Sequence, residues 1–153
     1  MKKILILFLT FLLFSSCGYK PIYSESENSN YKINIISTEG DKGINNLIVR
    51  NLNQKFNKSD GREITTKIKS NYSKRIVAKN AKGSVTDYEL QINVNFEMVL
   101  KGTKKVFSIE ERLNIKKLDD ILKEKNYEKT VKKNLTSSIV DKLILRISTF
   151  EWS

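Results

Sequence analysis

The sequence predicts an α+β fold, a two-layer sandwich in which a four-stranded, mostly antiparallel sheet carries two helices on one face. Two observations predict it. Tyr88–Leu100 alternates strictly between apolar and polar residues, which is the pattern of a strand with one buried face. Asp41–Asn57 and Tyr127–Phe150 instead repeat apolar residues about every four positions, which indicates amphipathic helices. One-sided strands and helices bury their apolar faces against each other, so two layers follow.

The strands are predicted in chain order from the same two-residue period. Tyr31–Ser37 and Glu63–Ala78 precede Tyr88–Leu100, and Phe107–Ile115 follows it. The small, polar segment Lys79–Thr86 is predicted as a hairpin loop, and a tight turn separates the last two strands. The element order is therefore strand, helix, strand, strand, strand, helix.

The helices are predicted from apolar stripes and from a capping residue. Asp41–Asn57 has an apolar residue every four positions, and Asp41 is suited to accept hydrogen bonds from its first turn. Leu118–Lys123 is predicted as a short, separate helical piece. Tyr127–Phe150 is the long final helix, about 36 Å at ~1.5 Å per residue, which is enough to cross a four-stranded sheet.

The amino-terminal residues have the form of a bacterial lipoprotein signal. Lys2 and Lys3 precede the apolar run Ile4–Phe14, which only Thr10 interrupts, and two serines then lead to Cys17. Cys17 is the only cysteine of the chain. We expect cleavage before it, with an S-diacylglycerol group on the thiol and an N-acyl chain on the new amino terminus.

The apolar run is too short to be a stable membrane span. At ~1.5 Å per residue, Ile4–Phe14 falls well short of a ~30 Å hydrocarbon core. An ordinary signal peptide with a chance cysteine is the alternative interpretation. The sequence has Phe14 where lipoprotein signals usually carry leucine, and Gly18 after the cysteine favours sorting to the outer membrane.

This interpretation divides the chain into three segments. Residues 1–16 are the predicted signal peptide, and residues 17–30 are a lipidated linker that includes the polar stretch Ser24–Asn30. Residues 31–153 are a single α+β domain, a length that supports one core.

The charge of the chain suggests anionic partners. The 153 residues carry a formal net charge of +11, which favours phospholipid head groups or a phosphorylated glycolipid. The predicted export argues against nucleic acid. An AT-rich genome, which enriches Lys, Asn and Ile together, is the alternative explanation of the charge.

Residues for catalysis are scarce. The chain has no histidine, and its single cysteine is assigned to lipid, so the usual general base and thiol nucleophile are lacking. No metal site or phosphate-binding loop is predicted. The acidic pairs Glu110–Glu111 and Asp119–Asp120 are predicted to be solvated, since sequence neighbours point apart. We therefore predict a protein that is not an enzyme.

Three features resemble the LptE family of lipopolysaccharide-assembly lipoproteins. Cys17–Tyr23, with the sequence CGYKPIY, is similar to the family's lipidated Cys-Gly-aromatic opening. The predicted element order is similar to that of the family, and Asn126–Ser148 is similar to its long final helix. The resemblance covers essentially the whole chain after the signal peptide, and its opening motif is the distinctive part.

The resemblance implies a plug. A lipoprotein of this family is anchored in the outer membrane, faces the periplasm and sits within the lumen of a large β-barrel partner, LptD. In a one-to-one LptD-LptE complex it supports assembly of the barrel and binds lipopolysaccharide during its transport. It has no cofactor other than the covalent lipid on Cys17.

Basic residues near the two predicted turns are the candidates for lipopolysaccharide binding. They are chosen from charge and position alone, because phosphate and carboxylate groups suit Lys and Arg. Consecutive hairpins turn at opposite ends of a sheet, so two separate patches are expected. Solvated lysines that protect sheet edges are the alternative. The candidates are Lys74, Arg75, Lys79, Lys82, Lys101, Lys104 and Lys105.

Two other functions are open from the sequence. A stand-alone envelope lipoprotein could bind an anionic ligand or polymer without a barrel. An anchored enzyme could work with Asp or Glu alone. Recovery of a barrel partner would favour the assembly function over both.

The lipid anchor gives the first testable prediction. We expect Cys17→Ala to block lipid attachment and to leave the precursor uncut by the lipoprotein peptidase, because the thiol is the acceptor. Labelling of cells with a fatty-acid analogue measures this directly. Equal label on the variant and on the natural protein would contradict the assignment.

Overall fold

The computed structural model describes residues 31–56 and 61–150, which form one sheet with two helices. The predicted order of strands and helices is confirmed. The predicted signal peptide, the linker and Cys17 lie outside the described residues. The strands are β1 (Tyr31–Gly40), β2 (Arg62–Lys79), β3 (Val85–Leu100) and β4 (Thr103–Lys116), and the helices are α1 (Lys42–Lys55) and α2 (Ile121–Thr149).

The sheet has the strand order β1-β2-β3-β4. β1 pairs with β2 in parallel, and the β2–β3 and β3–β4 pairs are antiparallel. A parallel pair needs a crossover connection, which α1 supplies. The sheet is therefore mostly antiparallel, as the sequence predicts, and both helices pack on the same face.

The junction between β1 and α1 depends on Gly40. Its φ is +95°, and a Cβ atom there would lie 1.7 Å from the backbone oxygen of Ser70. Only glycine fits such a conformation and such an approach. Directly after it, the Asp41 side chain accepts a hydrogen bond of 2.9 Å from the backbone N–H of Ile44 and caps α1, as predicted.

The core lies between the helices and the even-numbered side chains of β3. Phe96 is fully buried, whereas its neighbour Asn95 is exposed on the other face. β2 alternates in the same register, since Ile64, Thr66 and Ile68 are buried. The register predicted from the alternation is therefore confirmed.

The start of α2 differs from the prediction. The helix is continuous from Ile121, so the short separate piece at Leu118–Lys123 and the start at Tyr127 are wrong. The Asp120 carboxylate accepts hydrogen bonds from the N–H groups of Leu122 and Lys123, at 2.8 and 3.0 Å. Asp120 is exposed, as predicted, but it is also the N-cap that fixes where the helix begins, which was not predicted.

α2 crosses the sheet diagonally. Its buried residues recur every four positions, and because an α-helix repeats every 3.6 residues the stripe rotates around the helix. Near its end, the Arg146 guanidinium donates a 3.0 Å hydrogen bond to the backbone oxygen of Ser108 on β4. The stripe comprises Val131, Leu135, Ile139, Leu143 and Ile147.

The core register gives the second testable prediction. We expect Phe96→Ala to lower the free energy of unfolding by ~3–5 kcal/mol, because it leaves a cavity at a fully buried site. Asn95→Ala, at the adjacent exposed position, should change it by less than about 0.5 kcal/mol. Denaturant unfolding of both variants measures the difference, and equal losses would show that the burial pattern is wrong.

Candidate functional site

One face of the sheet is not covered by either helix. We call it the outer face; it carries the odd-numbered residues of β3 and the residues of β2 and β4 that pair with them. Gln91, Asn93 and Asn95 supply amide groups along its centre. A sheet face of this length with only scattered apolar side chains is suited to a polar surface or to water.

The charges of the outer face are balanced by ion pairs, four of them between strands and one within β4. Glu97 lies between two lysines, with oxygen–nitrogen distances of 3.7 Å to Lys67 and 2.9 Å to Lys104. These contacts lower the pKa of Glu97, chiefly through the hydrogen bond from Lys104. The other pairs are Lys69–Glu39, Arg75–Glu89 and Arg112–Glu110.

Arg75, a candidate for lipopolysaccharide binding, is held by one of these pairs. Its Nε lies 2.6 Å from Oε1 of Glu89, whose side chain is only 8% exposed. The hydrogen bond from Arg75 lowers the pKa of Glu89. A guanidinium that an almost buried carboxylate engages is less available to an external anion.

Lys74, the neighbouring candidate, points to the opposite face and joins the sheet to α2. Its ammonium group lies 2.9 Å from Glu124 and 3.0 Å from Glu128. The hydroxyl of Tyr72 donates a 2.7 Å hydrogen bond to Glu128. Lys132 completes the cluster, with its Nζ 3.4 Å from Glu128 and 3.5 Å from the centroid of the Tyr72 ring.

The electrostatics of this cluster fix its protonation states. Burial opposes ionisation of Glu128, but hydrogen bonds from Tyr72 and Lys74 outweigh burial and lower its pKa. The pKa of Glu124 is lowered by the hydrogen bond from Lys74. Burial lowers and the two carboxylates raise the pKa of Lys74, with a net rise. The pKa of Tyr72 is raised, chiefly by burial, so its hydroxyl stays protonated. Lys74 is therefore a charged residue that stabilises the fold.

The other five candidates lie at the two turns. Lys79 and Lys82 are exposed at the β2–β3 turn and form no ion pair within residues 31–56 and 61–150. Lys101 is likewise exposed at the β3–β4 turn, in a left-handed conformation with φ of 48°. There Lys104 pairs with Glu97, and Lys105 lies 4.4 Å from the centroid of the Phe150 ring.

The two turns are at opposite ends of the sheet, as the sequence predicts. The pairing of Lys79 with Val85 closes one end, and that of Leu100 with Thr103 closes the other. The structure therefore does not bring the seven candidates into one site. It leaves four without a charged partner among the described residues, namely Lys79, Lys82, Lys101 and Lys105, of which Lys105 lies against the Phe150 ring.

Glu111 was predicted to be solvated, and this prediction is wrong. Its side chain is 16% exposed, accepts a 3.0 Å hydrogen bond from the hydroxyl of Ser138 and pairs with Lys142. The reason is its odd position on β4, which points toward α2. Glu110, at the next position, is exposed and pairs with Arg112 at 3.0 Å. The sequence did contain a signal for this burial, because Glu111 interrupts the apolar residues at the odd positions of β4.

The described residues also bear on metal binding and on membrane-spanning helices. Residues 31–56 and 61–150 contain no group of three or more His, Cys, Asp or Glu side chains placed to hold a metal ion. Within the same ranges, neither helix is long and apolar enough to cross a membrane.

Comparison with known proteins decides the family. The model of the LptE lipopolysaccharide-assembly family matches residues 26–147. The chain belongs to this family. The resemblance inferred from the sequence is thereby confirmed, and lipopolysaccharide assembly is the general role of this LptE-family chain. No curated protein sequence matches it.

Solved structures of bacterial lipoproteins share the fold. Rare lipoprotein B from Shewanella oneidensis has a TM-score of 0.58 and 17% identity, over 76% of this chain and 95% of that one. A lipoprotein B from Nitrosomonas europaea has a TM-score of 0.56 and 14% identity, over 80% and 88%. A minor lipoprotein from Acinetobacter baumannii has a TM-score of 0.52 and 12% identity, over 77% and 93%. At these identities the likeness concerns the fold alone.

The cluster around Glu128 gives the third testable prediction. We expect Glu128→Gln to lower the free energy of unfolding by ~1–3 kcal/mol at neutral pH, because a charged acceptor of two hydrogen bonds is lost. Because the folded-state pKa of Glu128 is lowered, its contribution is present above the unfolded pKa and is lost as pH falls through the folded pKa.

Unfolding at several pH values measures this contribution. The difference in the free energy of unfolding between the natural protein and Glu128→Gln should become smaller as the pH falls. Glu110→Gln, which removes an exposed pair with Arg112, is the matched control and should stay within about 0.5 kcal/mol at every pH. If Glu128→Gln lowered the free energy of unfolding by the same amount at every pH, the stabilising role of the Glu128 charge would be contradicted.

Proposed function

We propose that this chain is a lipid-anchored outer-membrane lipoprotein that occupies the lumen of an LptD-like β-barrel, in a one-to-one complex, and supports assembly of that barrel. The observation that carries the proposal is the uncovered, polar and charge-balanced outer face of the sheet. Family membership supplies the context, since the family acts in lipopolysaccharide assembly.

The outer face suits the interior of a barrel for a physical reason. The lumen of an outer-membrane barrel is polar, so a plug must present hydrogen-bonding groups rather than apolar ones. Amides such as those of Asn93 and Asn95 both donate and accept hydrogen bonds. The five ion pairs leave little net charge on this face, so docking does not require burial of many unpaired charges.

The β2–β3 turn is the part of the domain best suited to lipopolysaccharide. The side chain of Asn80 accepts hydrogen bonds from the backbone N–H groups of Lys82 and Ser84, at 3.0 and 2.9 Å. This arrangement orders the turn while Lys79 and Lys82 stay exposed. Phosphate groups of the glycolipid would find ammonium groups there that have no internal carboxylate to displace.

The remaining parts of the proposal concern the amino terminus. Residues 1–16 would be removed as a signal peptide, and residues 17–30 would link the acylated Cys17 to the domain. Two or more acyl chains give stable attachment to a membrane, where one chain does not. The domain would then face the periplasm, next to the barrel that it enters.

The outer face gives the fourth testable prediction. We expect Asn95→Trp to reduce the amount of barrel protein that copurifies with the tagged chain from detergent-solubilised outer membranes, because a large ring would hold the two polar surfaces apart. Asn126→Trp is the matched control, since Asn126 is equally exposed but lies on α2, in the other layer.

The outcomes of this experiment separate the open functions. Full recovery of the barrel with Asn95→Trp, and loss with Asn126→Trp, would place the contact on the helix layer and contradict the proposal. Recovery of no barrel even with the natural chain, together with binding of a soluble periplasmic ligand, would favour the stand-alone carrier.

Lipopolysaccharide binding is tested separately on the purified protein. We expect Lys79→Glu combined with Lys82→Glu to weaken binding and to reduce its salt dependence, because exposed ion pairs are screened by salt. Lys67→Glu combined with Lys69→Glu changes the net charge equally on the outer face and is the control. Equal weakening by both pairs would show that only the net charge matters.

A further inference from the structure

The solvent-facing side of α2 carries a row of lysines. Lys125, Lys129 and Lys133 are four residues apart and exposed. Because successive residues turn by about 100° around a helix, they lie nearly opposite the buried Val131 and Leu135 at the same level. We call these three residues the lysine ridge.

The lysine ridge has no counter-charge among the described residues. Within residues 31–56 and 61–150 none of the three lysines forms an ion pair, whereas Lys132, on the same helix, pairs with Glu128 at 3.4 Å. Like charges four residues apart disfavour a helix. The ridge therefore contrasts with the outer face, where five ion pairs balance the charges.

Two large apolar side chains are exposed beside the ridge. Ile121 is 74% exposed and Leu122 is 68% exposed, so neither belongs to the core. Leu122 lies on the same side of α2 as Lys129 and Lys133, because these lysines follow it by about two and three turns of the helix. Exposed apolar residues that continue into a row of lysines are the pattern of a helix that lies in a membrane interface.

We propose that this surface of α2 docks on an anionic phospholipid bilayer, with the ridge on the lipid phosphates and Leu122 and Ile121 at the boundary between head groups and acyl chains. Lysine carries a compact charge on a flexible stem, which suits fluid head groups better than a fixed carboxylate partner. Clusters of basic residues on a helix with exposed apolar side chains favour anionic lipid.

The proposal goes beyond the barrel and lipopolysaccharide functions and does not depend on either. Reversible attachment through one surface is weak, and a polybasic patch becomes effective when combined with an acyl anchor. Before the domain enters the barrel, the ridge would hold it against the leaflet in which its anchor resides. Lys79 and Lys82 lie on the β2–β3 turn and not on α2, and both are exposed.

The experiment uses the chain from Gly18 to Ser153, so that no acyl chain contributes. Its core lies entirely between Ile33 and Ile147, so this chain keeps all the core residues. Binding is measured by cosedimentation with phosphatidylcholine vesicles, with and without about 30% phosphatidylglycerol, at low and high salt. We expect binding only to the anionic vesicles, and weaker binding at high salt.

The decisive variant replaces the ridge. Lys125→Gln, Lys129→Gln and Lys133→Gln together should weaken binding to anionic vesicles about a hundredfold at low salt. The control replaces Lys67, Lys69 and Lys104 by Gln, which removes the same charge from the outer face. It should weaken binding by less than about threefold, because it lowers the net charge of the protein but leaves the ridge unchanged. Leu122→Ser should weaken binding several-fold, and it leaves the core intact because this side chain is exposed.

Three results would overturn the proposal. Equal weakening by the two triple variants would show that net charge alone is responsible. Unchanged vesicle binding by the ridge variant, with loss of lipopolysaccharide binding or of barrel recovery, would assign the ridge to those partners instead. Absence of binding by the natural chain to anionic vesicles would exclude membrane docking, whatever the outcome of the barrel experiment. Thermal unfolding of each variant checks that the fold is kept.

Discussion

The one-sided burial of β3 is the constraint on which the rest of the domain depends. This strand is paired on both sides, and its even-numbered side chains from Leu90 to Leu100 are all buried. A shift by one residue would exchange the two faces of the strand, so its register is strongly specified. Both neighbouring strands, and the helices that cover them, take their orientation from it.

The sequence was sufficient for the fold and insufficient for the polar contacts. Periods of two and four residues report which side of an element is buried, and these are local properties. The burial of Glu111 was misjudged and the partners of Lys74 were missed, because the groups that surround these two residues are distant in the chain. The carboxylate of Glu124 lies fifty positions from Lys74 in the chain. The turn lysines were placed correctly at two ends, since hairpin geometry follows from strand order. Only the structure shows which of these lysines lack an ion-pair partner.

Charge is distributed unevenly over the two layers, and this has a physical meaning. On the outer face most cations are paired with an anion, as Arg75 is with Glu89. The excess of positive charge is found at the turns and along the solvent side of α2. The net charge of +11 is therefore concentrated on particular surfaces and is not spread evenly over the molecule.

The parallel pairing of β1 with β2 has a consequence for how the chain reaches this structure. The β2–β3 and β3–β4 hairpins close short loops, whereas Tyr31 and Arg62, which face each other at the start of β1 and β2, close a loop through α1. Closure of a longer loop costs more chain entropy before any contact offsets it. We therefore expect the three-stranded meander to form first, and β1 with α1 to attach last and to open first. β1 is also the strand closest in sequence to Cys17, so the part of the sheet that is easiest to open would be the part next to the predicted lipidation site.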